Sequence, residues 1–522
     1  MLSFVLTLLA TILVSFLPER WLKPEAPARP DLKSLRLQIS LVSMVFIALT
    51  LIVQRAVFSG IAIFVFLIIL VAVNNAKYKA LREPMVFSDF AMFSQAFKHP
   101  RLYFPFLGLV PVILAPLLII ALIITVLKLE PALPFSWQRI APSIGLLLGL
   151  YISARQQALA MQITMKPAED IHQYGLQNSL FIYAVQAFSD KHRQKIKKAL
   201  AQSPLFTDNN PSPPFLHTFL SASENKPNIT VIQSESFFDA RRLHPSIKKQ
   251  VLQSFDKICA ESLQYGQLKV PAWGANTMRS EFAFLSGIKN KKLQLFRFYP
   301  YQFLNKYPVT SIASLLQSLG YYCVCIHPHP ASFFGRERLF PRLGFDEFID
   351  IEDFADAQKF GPYISDQSVS EKILQITHKY SDRPLFIFSI TMENHGPLHL
   401  EKTSPAEQHD YLEDYPKSAN LEKINDLTVY LRHLKNADNM LKQLTDAFRH
   451  TDKKHVLCFY GDHIPSMPEV YEETKYDNHD SDYIIWTNSK SQDTQQHTIT
   501  IENLAQTLLE PVCKFMDEEN NN

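Results

Sequence analysis

Acidic and imidazole side chains follow four apolar runs of the sequence that predict β-strands. Glu235 follows "NITVIQ", His327 follows "YYCVCI", His395 comes soon after "LFIFSIT", and Asp462 and His463 come soon after "HVLCFY". Open α/β sheets bind ligands at the carboxyl ends of their strands, so these side chains are expected at one edge of a sheet. Carboxylate oxygens and imidazole nitrogens together suit one divalent metal ion, with manganese, magnesium and zinc as the candidates.

Each of these residues alone has a simpler explanation. An acidic residue after a strand is often a helix cap, and a lone histidine is usually packed among other side chains. Four strand ends that all supply carboxylate or imidazole groups are harder to explain in this way. We therefore expect a functional site at this edge.

A threonine in the stretch "WGANTMRSEF" has no obvious place in a helical or strand pattern. Thr277 follows a Gly-Ala-Asn turn that allows a close backbone approach, and a helix beginning near Ser280 would point its amino terminus at an anion. A threonine hydroxyl is a poor nucleophile at neutral pH, but coordination to a metal lowers its pKa and orients it. The alternative is that Thr277 caps the helix through "EFAFLSG", and this segment alone favours the cap.

The strands that would position these residues lie in the second half of the chain, where short apolar runs alternate with helical stretches. This pattern predicts an α/β domain with a largely parallel sheet. The predicted strands are Asn228–Gln233, Tyr321–Ile326, Leu385–Thr391, His455–Tyr460 and Tyr483–Trp486.

The first part of the chain predicts a membrane domain over residues 1–160. A helical span needs about 20 apolar residues. Five candidates are Met1–Leu17, Leu37–Val53, Ala56–Val73, Tyr103–Val126 and, with the weakest pattern, Ile140–Ser153. The first has the length of a signal peptide, but it lacks a basic start and a small-residue cleavage site, so we interpret it as a retained helix.

Residues 161–227 predict juxtamembrane helices and a linker. The basic run "DKHRQKIKKAL" suits an anionic membrane surface or a solvated helix equally, and "SPLFTDNNPSPPF" is typical of an extended linker. A catalytic domain is predicted over 228–515 and a disordered tail over 516–522. The 522 residues carry a formal charge of only +2, which argues against a nucleic-acid partner.

Several motifs together resemble one family of membrane enzymes. They are "SDFAMFS", "VIQSESF", "GANTMRSEF", "HPHPASFFGRERLF", "NHGP" and "FYGDHIP", in this order. The set is similar to the lipoteichoic acid synthase and phosphoglycerol transferase family, within the alkaline phosphatase and sulfatase superfamily. The resemblance implies a polytopic α-helical membrane domain of about five spans followed by an α/β sulfatase-like domain.

The resemblance also implies roles for residues of this sequence. Glu235, Thr277, Asp462 and His463 would hold one divalent metal, manganese before magnesium or zinc, with Thr277 as the nucleophile. His395 matches the active-site histidine of the family. Classical sulfatases instead mature a Cys or Ser into formylglycine, and Thr at position 277 argues against that chemistry.

Contacts to the substrate headgroup are implied for three further residues. His327 and Arg336 match positions that contact the headgroup and its phosphate. Phe334 stands where the family has a tryptophan two residues before the arginine, so an aromatic wall remains without the indole N–H.

The family reaction would run in two displacements. Thr277 would attack the phosphodiester of a phospholipid, diacylglycerol would leave, and an acceptor hydroxyl would then take the headgroup from the phospho-threonine diester. Phosphatidylglycerol is the expected donor, because His327, His329, Arg336 and Arg338 outnumber the single Glu337 and suit a phosphate better than an ammonium. The acceptor would be a glycan or polymer of the cell envelope.

Orientation in the membrane is open to two interpretations. The resemblance implies a multi-pass protein of the cytoplasmic membrane with its catalytic domain outside. Lys and Arg, however, cluster after the first and third predicted spans, and the positive-inside rule would put those loops, and the catalytic domain, in the cytoplasm. We favour the resemblance, since basic residues beside an interfacial helix can lie against lipid headgroups on either side. The five cysteines, without a CxxC pair, decide nothing.

Two other functions fit the same residues less well. One is a phosphoethanolamine transferase or a plain phosphodiesterase on the same fold. The other is a catalytically inactive membrane scaffold, against which the complete set of Glu235, Thr277, Asp462 and His463 argues.

Overall fold

The computed structural model describes residues 2–27, 30–92, 98, 109–134, 136–203, 205, 226–304, 307–413, 421–489 and 494–520. The chain divides into two compact units, residues 1–194 and 195–522.

The described part of the first unit is helical. Its helices are Leu2–Val14, Leu32–Val53, Ala56–Leu81, Leu109–Leu129, Trp137–Ala160, Pro167–Tyr174 and Leu176–Ala187, with 3-10 turns at Pro18–Trp21 and Phe87–Met92. The basic run is a helix over Asp190–Leu200, at the boundary between the units.

Three of the described segments are long and apolar enough to cross a membrane. They are Ser3–Trp21, Leu32–Val53 and Ala56–Leu81, while the apolar helix Ile119–Leu129 is shorter. Residues 103–108 of the predicted fourth span lie outside the described residues. The helix Trp137–Ala160 contains the predicted fifth span, but it also carries two arginines and Pro142. The number of five spans therefore stays a prediction.

Polar contacts group the loops of the first unit at two ends of its helices. At one end, the Arg55 side chain donates to the carbonyl of Glu130, and the Glu130 carboxylate accepts from the backbone N–H groups of Val57 and Phe58. At the other end, Asn74 donates to the carbonyl of Lys23, and His172 Nδ1 lies 3.0 Å from the carbonyl oxygen of Glu25. The helix Pro167–Tyr174 thus lies at the same end as the loop after the first helix.

The second unit is an α/β domain. Its strands are β1 Asn228–Ser234, β2 Gln264–Lys269, β3 Tyr322–Ile326, β4 Glu347–Ile349, β5 Lys359–Phe360, β6 Tyr363–Ile364, β7 Leu385–Ile390, β8 His455–Gly461, β9 Ser481–Thr487, β10 Gln495–Gln496 and β11 Ile499–Thr500. Its helices are Gln253–Glu261, Thr277–Ser286, Tyr301–Leu304, Ile312–Ser318, Arg336–Leu339, Asp366–Lys379, Pro405–Tyr411, Leu421–Arg449, Pro468–Thr474 and Ile501–Asn520. Residues 516–520, predicted as a disordered tail, are therefore helical.

The main sheet has the order β10-β2-β9-β8-β1-β7-β3-β4, with β11 beside β2. The centre of the sheet, β8-β1-β7-β3-β4, is parallel, and β9 pairs antiparallel with both β8 and β2. All residues of β1, β7, β8 and β9 are buried. Continuous apolar runs are expected for such strands because helices cover both faces of a parallel sheet.

Gly461 at the end of β8 lets two chain segments approach closely. A Cβ atom at this position would lie 1.8 Å from the carbonyl oxygen of Phe237. Any larger residue would therefore push apart the loop after β1 and the end of β8, which carry the acidic residues of the candidate site.

Candidate functional site

Three of the predicted metal ligands converge at the carboxyl ends of β1 and β8. Glu235 follows β1 directly, and Asp462 and His463 follow β8, whose last residue Gly461 pairs with Ser234. One ligand atom from each of the three side chains lies within 4.8 Å of the other two, and all three residues are buried. The parallel register of two neighbouring strands thus builds the cluster from residues more than two hundred positions apart.

Ser236 fixes the orientation of this cluster. Its backbone has a φ of 56°, its N–H donates to Asp462 Oδ1 at 2.9 Å, and its hydroxyl donates to Glu235 Oε1 at 2.9 Å. Tyr430 donates to the Ser236 carbonyl at 2.8 Å. Ser236 was not predicted as a site residue, although it lies within the "ESF" of the quoted motif.

The His463 ring presents one nitrogen to the carboxylates. Its Nδ1 lies 3.0 Å from the carbonyl oxygen of Ile464, which makes Nδ1 the N–H donor. Its Nε2 lies 3.2 Å from Asp462 Oδ2 and 3.6 Å from Glu235 Oε1. Metal-binding histidines commonly donate their other ring N–H to a carbonyl or carboxylate in this way.

The charges of the cluster fit a divalent cation. Among the residues that the structure describes, none donates a hydrogen bond to the buried Asp462 Oδ2. Burial raises the pKa of Glu235 to about 8, and the charge of Asp462 adds to this effect. Two buried carboxylates are costly unless a positive charge compensates them. Two carboxylates and one imidazole nitrogen form a donor set that manganese, magnesium and zinc accept.

Thr277 lies at the edge of the same cluster and is partly exposed. Its hydroxyl oxygen is 3.4 Å from His463 Nε2. It is the first residue of the helix Thr277–Ser286, three positions earlier than predicted, and the capping position belongs to Asn276 with a φ of 71°. The Ser280 hydroxyl donates to the Asp462 carbonyl at 2.5 Å and so ties this helix to the end of β8.

Arg336 forms a buried ion pair that no sequence pattern predicted. Its Nε and Nη2 donate to the two carboxylate oxygens of Glu281 at 3.1 and 2.8 Å. Tyr301 donates to the same carboxylate, and both charged side chains are at most 2% exposed. Glu281 is part of the quoted "SEF" motif, but only its position on the helix, one turn after Thr277, brings it to Arg336.

His327, predicted to contact the headgroup, has both ring nitrogens engaged. Its Nδ1 donates to the carbonyl of Ile390 at 3.1 Å, and its Nε2 accepts from Arg336 Nη1 at 3.3 Å. Burial first, and then the charge of Arg336, hold the pKa of His327 well below its usual value. Contacts of His327 and Arg336 with the substrate headgroup stay predictions. Both side chains are bonded to other groups of the protein, which suits residues that support the site from within.

Phe334 lies beside Arg336 in a strained backbone conformation. Its φ is 58°, its ring is 5.1 Å from the Arg336 guanidinium, and it is partly exposed. The Phe334 ring thus faces a cation of the protein itself, and its contact with a substrate headgroup stays a prediction.

His395 lies in the loop after β7, five residues beyond the strand end. Its Nδ1 donates to the carbonyl of Gly396 at 2.7 Å, which leaves Nε2 as the nitrogen that can exchange a proton with a substrate. Burial lowers the pKa of His395, while the negative charge of Asp462 opposes this shift. The ring is therefore close enough to the cluster of Glu235, Asp462 and His463 to interact with it electrostatically. The ring of Tyr363 packs edge-on against it at 5.7 Å.

Comparison with known protein families decides the classification. The family model of the sulfatases matches residues 227–512, more than half of the chain. The chain belongs to the sulfatase family. The resemblance to the alkaline phosphatase and sulfatase superfamily is thereby confirmed, and so is the sulfatase-like α/β domain.

Two curated relatives of this sulfatase-family chain come from Rhizobium meliloti (strain 1021). One is named, provisionally, for modification of cyclic beta-1,2-glucan; it is 32% identical over 252 residues, which are 48% of this chain and 38% of the relative. The other is the capsular polysaccharide biosynthesis protein RkpI, 26% identical over 82% of this chain and 77% of its own length. The chain thus spans well under half of the first relative and about three quarters of the second.

One solved structure resembles nearly the whole chain. It is the integral membrane lipooligosaccharide phosphoethanolamine transferase A (EptA) from Neisseria meningitidis, with a TM-score of 0.53 and 11% identity over 92% of this chain and 88% of that one. At this identity the similarity concerns the fold. Together with the apolar helices, it confirms the fold class of an N-terminal helical membrane domain followed by a sulfatase-like domain.

Proposed function

We propose that this chain transfers a phosphoglycerol headgroup from phosphatidylglycerol to a glycan or polymer of the cell envelope. Diacylglycerol is the lipid product, and a phospho-threonine diester on Thr277 is the intermediate. The observation that supports this most strongly is the partly exposed Thr277 hydroxyl, 3.4 Å from Nε2 of His463 at the edge of a buried carboxylate and imidazole cluster. A nucleophile at a helix amino terminus also has backbone N–H groups near the phosphate it attacks.

Glu235, Thr277, Asp462 and His463 hold one divalent cation in this proposal, manganese before magnesium or zinc. When bound, such an ion lowers the pKa of a ligating hydroxyl and offsets negative charge on phosphoryl oxygens. Ser236 and the Ile464 carbonyl orient the ligands, since they fix Glu235, Asp462 and His463 through hydrogen bonds.

The first displacement forms the covalent intermediate. Thr277 Oγ1 attacks the phosphorus of the lipid, the bond from phosphorus to the diacylglycerol oxygen breaks, and the threonine proton ends on that oxygen. Phe334 forms the side of the site next to the phosphoryl group, and Arg336 and His327 stabilise its position.

The second displacement passes the headgroup to the acceptor. An acceptor hydroxyl attacks the same phosphorus, the bond to Thr277 Oγ1 breaks, and the threonine recovers a proton. His395 suits this step because a lowered pKa keeps its imidazole neutral, and a neutral Nε2 can take the proton of the attacking hydroxyl.

The names of the curated relatives favour a glycan acceptor. One is associated with cyclic beta-1,2-glucan and the other with capsular polysaccharide. We propose that the enzyme is a multi-pass protein of the cytoplasmic membrane with its catalytic domain outside, where such glycans and outer-leaflet lipids meet. The proposed domain limits are 1–160 for the membrane domain, 161–227 for the juxtamembrane segment and 228–515 for the catalytic domain.

A phosphoethanolamine transferase is the second candidate. Glu281 neutralises Arg336, and His327 is uncharged, so the local positive charge that favoured glycerol over an ammonium is smaller than the sequence indicated. An ethanolamine headgroup therefore meets less repulsion here than expected.

Product analysis with purified full-length protein tests the proposal. Fluorescent phosphatidylglycerol is supplied with a divalent metal, with and without an oligosaccharide acceptor. We expect diacylglycerol in both reactions and a phosphoglycerol-modified oligosaccharide in the second. Free glycerol phosphate with no modified acceptor would identify a phosphodiesterase, and no product from any phospholipid would favour the scaffold.

A further inference from the structure

One buried histidine contacts both ends of the loop that carries His395. His433, on the helix Leu421–Arg449, donates from Nδ1 to Glu393 Oε1 at 3.0 Å and from Nε2 to Glu401 Oε1 at 3.1 Å. Glu393 lies two residues before His395 and Glu401 lies six residues after it. A single ring thus bridges the two ends of residues 393–401, which we call the His395 loop.

Both carboxylates are held by further groups from the protein interior. Glu393 accepts from Asn436 Nδ2 at 2.6 Å and, through its second oxygen, from the backbone N–H of Asp366 at 2.7 Å. Glu401 accepts from Arg432 at 2.6 Å. The His433 side chain is 1% exposed, whereas Glu401 and Arg432 are each 17% exposed, so the network runs from the interior towards the surface.

Two ionised carboxylates, one at each ring nitrogen, favour a charged imidazole. Only an imidazolium can donate from both ring nitrogens at once. The groups that face it are Glu393, Glu401, the neighbouring Arg432, the Asn436 amide and the edge-on ring of Phe360 at 5.4 Å. Burial works to lower the pKa of His433, but the hydrogen bonds that its ring donates to the two carboxylates outweigh this effect, and the pKa lies above its usual value.

The position of the His395 ring depends on the backbone of this loop. His395 Nδ1 bonds to the carbonyl of the next residue, Gly396, and the Tyr363 hydroxyl donates to the same carbonyl at 3.4 Å. On the other side, Gly361 packs so closely on Glu401 that a Cβ there would lie 2.7 Å from its carboxylate oxygen. A shift of Glu393 or Glu401 therefore moves the peptide on which the His395 ring is oriented.

We propose that His433 is a positioning residue that holds the His395 loop closed by bridging Glu393 and Glu401. Without the bridge, Thr277 and the cluster of Glu235, Asp462 and His463 stay in place, but the His395 ring becomes more mobile. Proton transfer to or from the substrate then becomes slower. The inference rests on the proposed role of His395, whereas the bridge itself can be measured without any activity.

The first experiment measures the loop directly in the full-length protein. Hydrogen-exchange mass spectrometry compares wild type, His433→Gln and a matched control, His455→Gln. His455 is also a buried histidine, stacked on Phe448, but it lies at the start of β8, seven residues before Asp462. Exchange in residues 393–401 is expected to rise about tenfold in His433→Gln and to stay unchanged in His455→Gln. Equal protection of the loop in wild type and His433→Gln would overturn the bridge.

The second experiment asks whether the bridge acts through His395. Diacylglycerol release is measured for His433→Gln, His395→Ala and the double variant. A misplaced catalytic group costs about tenfold to a hundredfold in kcat, and we expect such a loss in His433→Gln with KM nearly unchanged. In the His395→Ala background, His433→Gln should add little. Two losses that multiply in full would show a merely structural role and overturn the inference; a His395→Ala variant with wild-type kcat would instead overturn the proposed function, with the exchange result left standing.

The pH dependence gives a third readout. A histidine with a raised pKa keeps its charge below that pKa and loses it as the pH rises. The kcat ratio of wild type to His433→Gln should therefore be largest at low pH and fall towards one as the pH rises, because the wild type then loses the bridge as well. A ratio that grows with pH would contradict the proposal.

Discussion

The Glu281 carboxylate forms a bidentate ion pair with the Arg336 guanidinium, and both side chains are at most 2% exposed. This pair joins the helix that begins at Thr277 to the segment that carries Phe334. Arg336 also donates to His327. Arg336, for which the family resemblance implies a contact with the substrate phosphate, thus supports two other predicted site residues, His327 and Phe334.

Breaking this ion pair is expected to destabilise the catalytic unit. Glu281→Gln leaves a buried guanidinium without its counter-charge, a change that typically costs about 3 to 5 kcal/mol. Glu337→Gln is the matched control, because its partner Arg338 is 78% exposed and such surface pairs contribute less than about 1 kcal/mol. Thermal unfolding in detergent measures both. Equal melting temperatures for the two variants would contradict the buried pair.

The double variant Glu281→Leu with Arg336→Met separates support from phosphate binding. Replacing both charges by apolar side chains is often neutral or stabilising, so the melting temperature should return towards wild type. If Arg336 also contacts the phosphate, the double variant stays inactive in diacylglycerol release. Recovery of full activity would assign Arg336 to structure alone.

Removal of any predicted ligand should lower the metal content. Glu235→Gln, Asp462→Asn and His463→Ala each remove a charge or lone pair that the cation needs. Elemental analysis of the purified protein is expected to show less bound metal in all three and an unchanged amount in His455→Gln. Full occupancy in all three variants would mean that the ion binds elsewhere.

The headgroup is tested by competition between lipids. Phosphatidylglycerol and phosphatidylethanolamine, each with a different fluorophore, are supplied together to the metal-loaded enzyme. We expect diacylglycerol from phosphatidylglycerol, because the neutral glycerol headgroup needs no carboxylate partner, and Glu281 is already paired with Arg336. Diacylglycerol from the ethanolamine lipid alone would establish the second candidate.

Membrane orientation is tested by labelling introduced cysteines in whole cells. The described cysteines Cys259, Cys323, Cys325 and Cys458 are buried, so the parent chain gives the background. Asp382→Cys in the exposed part of the catalytic unit should react from outside, and Lys128→Cys, at the helix end near Glu130, should not. The reverse pattern would support the positive-inside rule and exclude an extracytoplasmic reaction.

The core of the sheet was predictable because its strands are continuous apolar runs. The five predicted strands agree with β1, β3, β7, β8 and β9 to within about two residues, and their carboxyl ends do bring Glu235, Asp462 and His463 together. The strand β2 was missed because it is polar, "QYGQLK", and only partly buried. β4 was missed because it has only three residues.

The residue pairs that hold the site residues in position could not be predicted from apolar runs. Glu281 meets Arg336 across 55 residues, and His433 meets Glu393 across 40. No local pattern marks such pairs, since each depends on how a helix packs against a loop. His395 shows the same limit, because the loop after β7 and not the strand itself determines where its ring points.

The covalent intermediate on Thr277 is the central claim, and intact-protein mass spectrometry tests it most directly. Wild type, Thr277→Ser and Thr277→Ala are incubated with metal and phosphatidylglycerol in the absence of an acceptor, and the modified peptide is then sequenced. Wild type and, to a smaller extent, Thr277→Ser should gain one phosphoglycerol group within residues 273–282, while Thr277→Ala should gain none and release no diacylglycerol. Diacylglycerol release by Thr277→Ala at the wild-type rate, or an adduct on another residue, would contradict the mechanism.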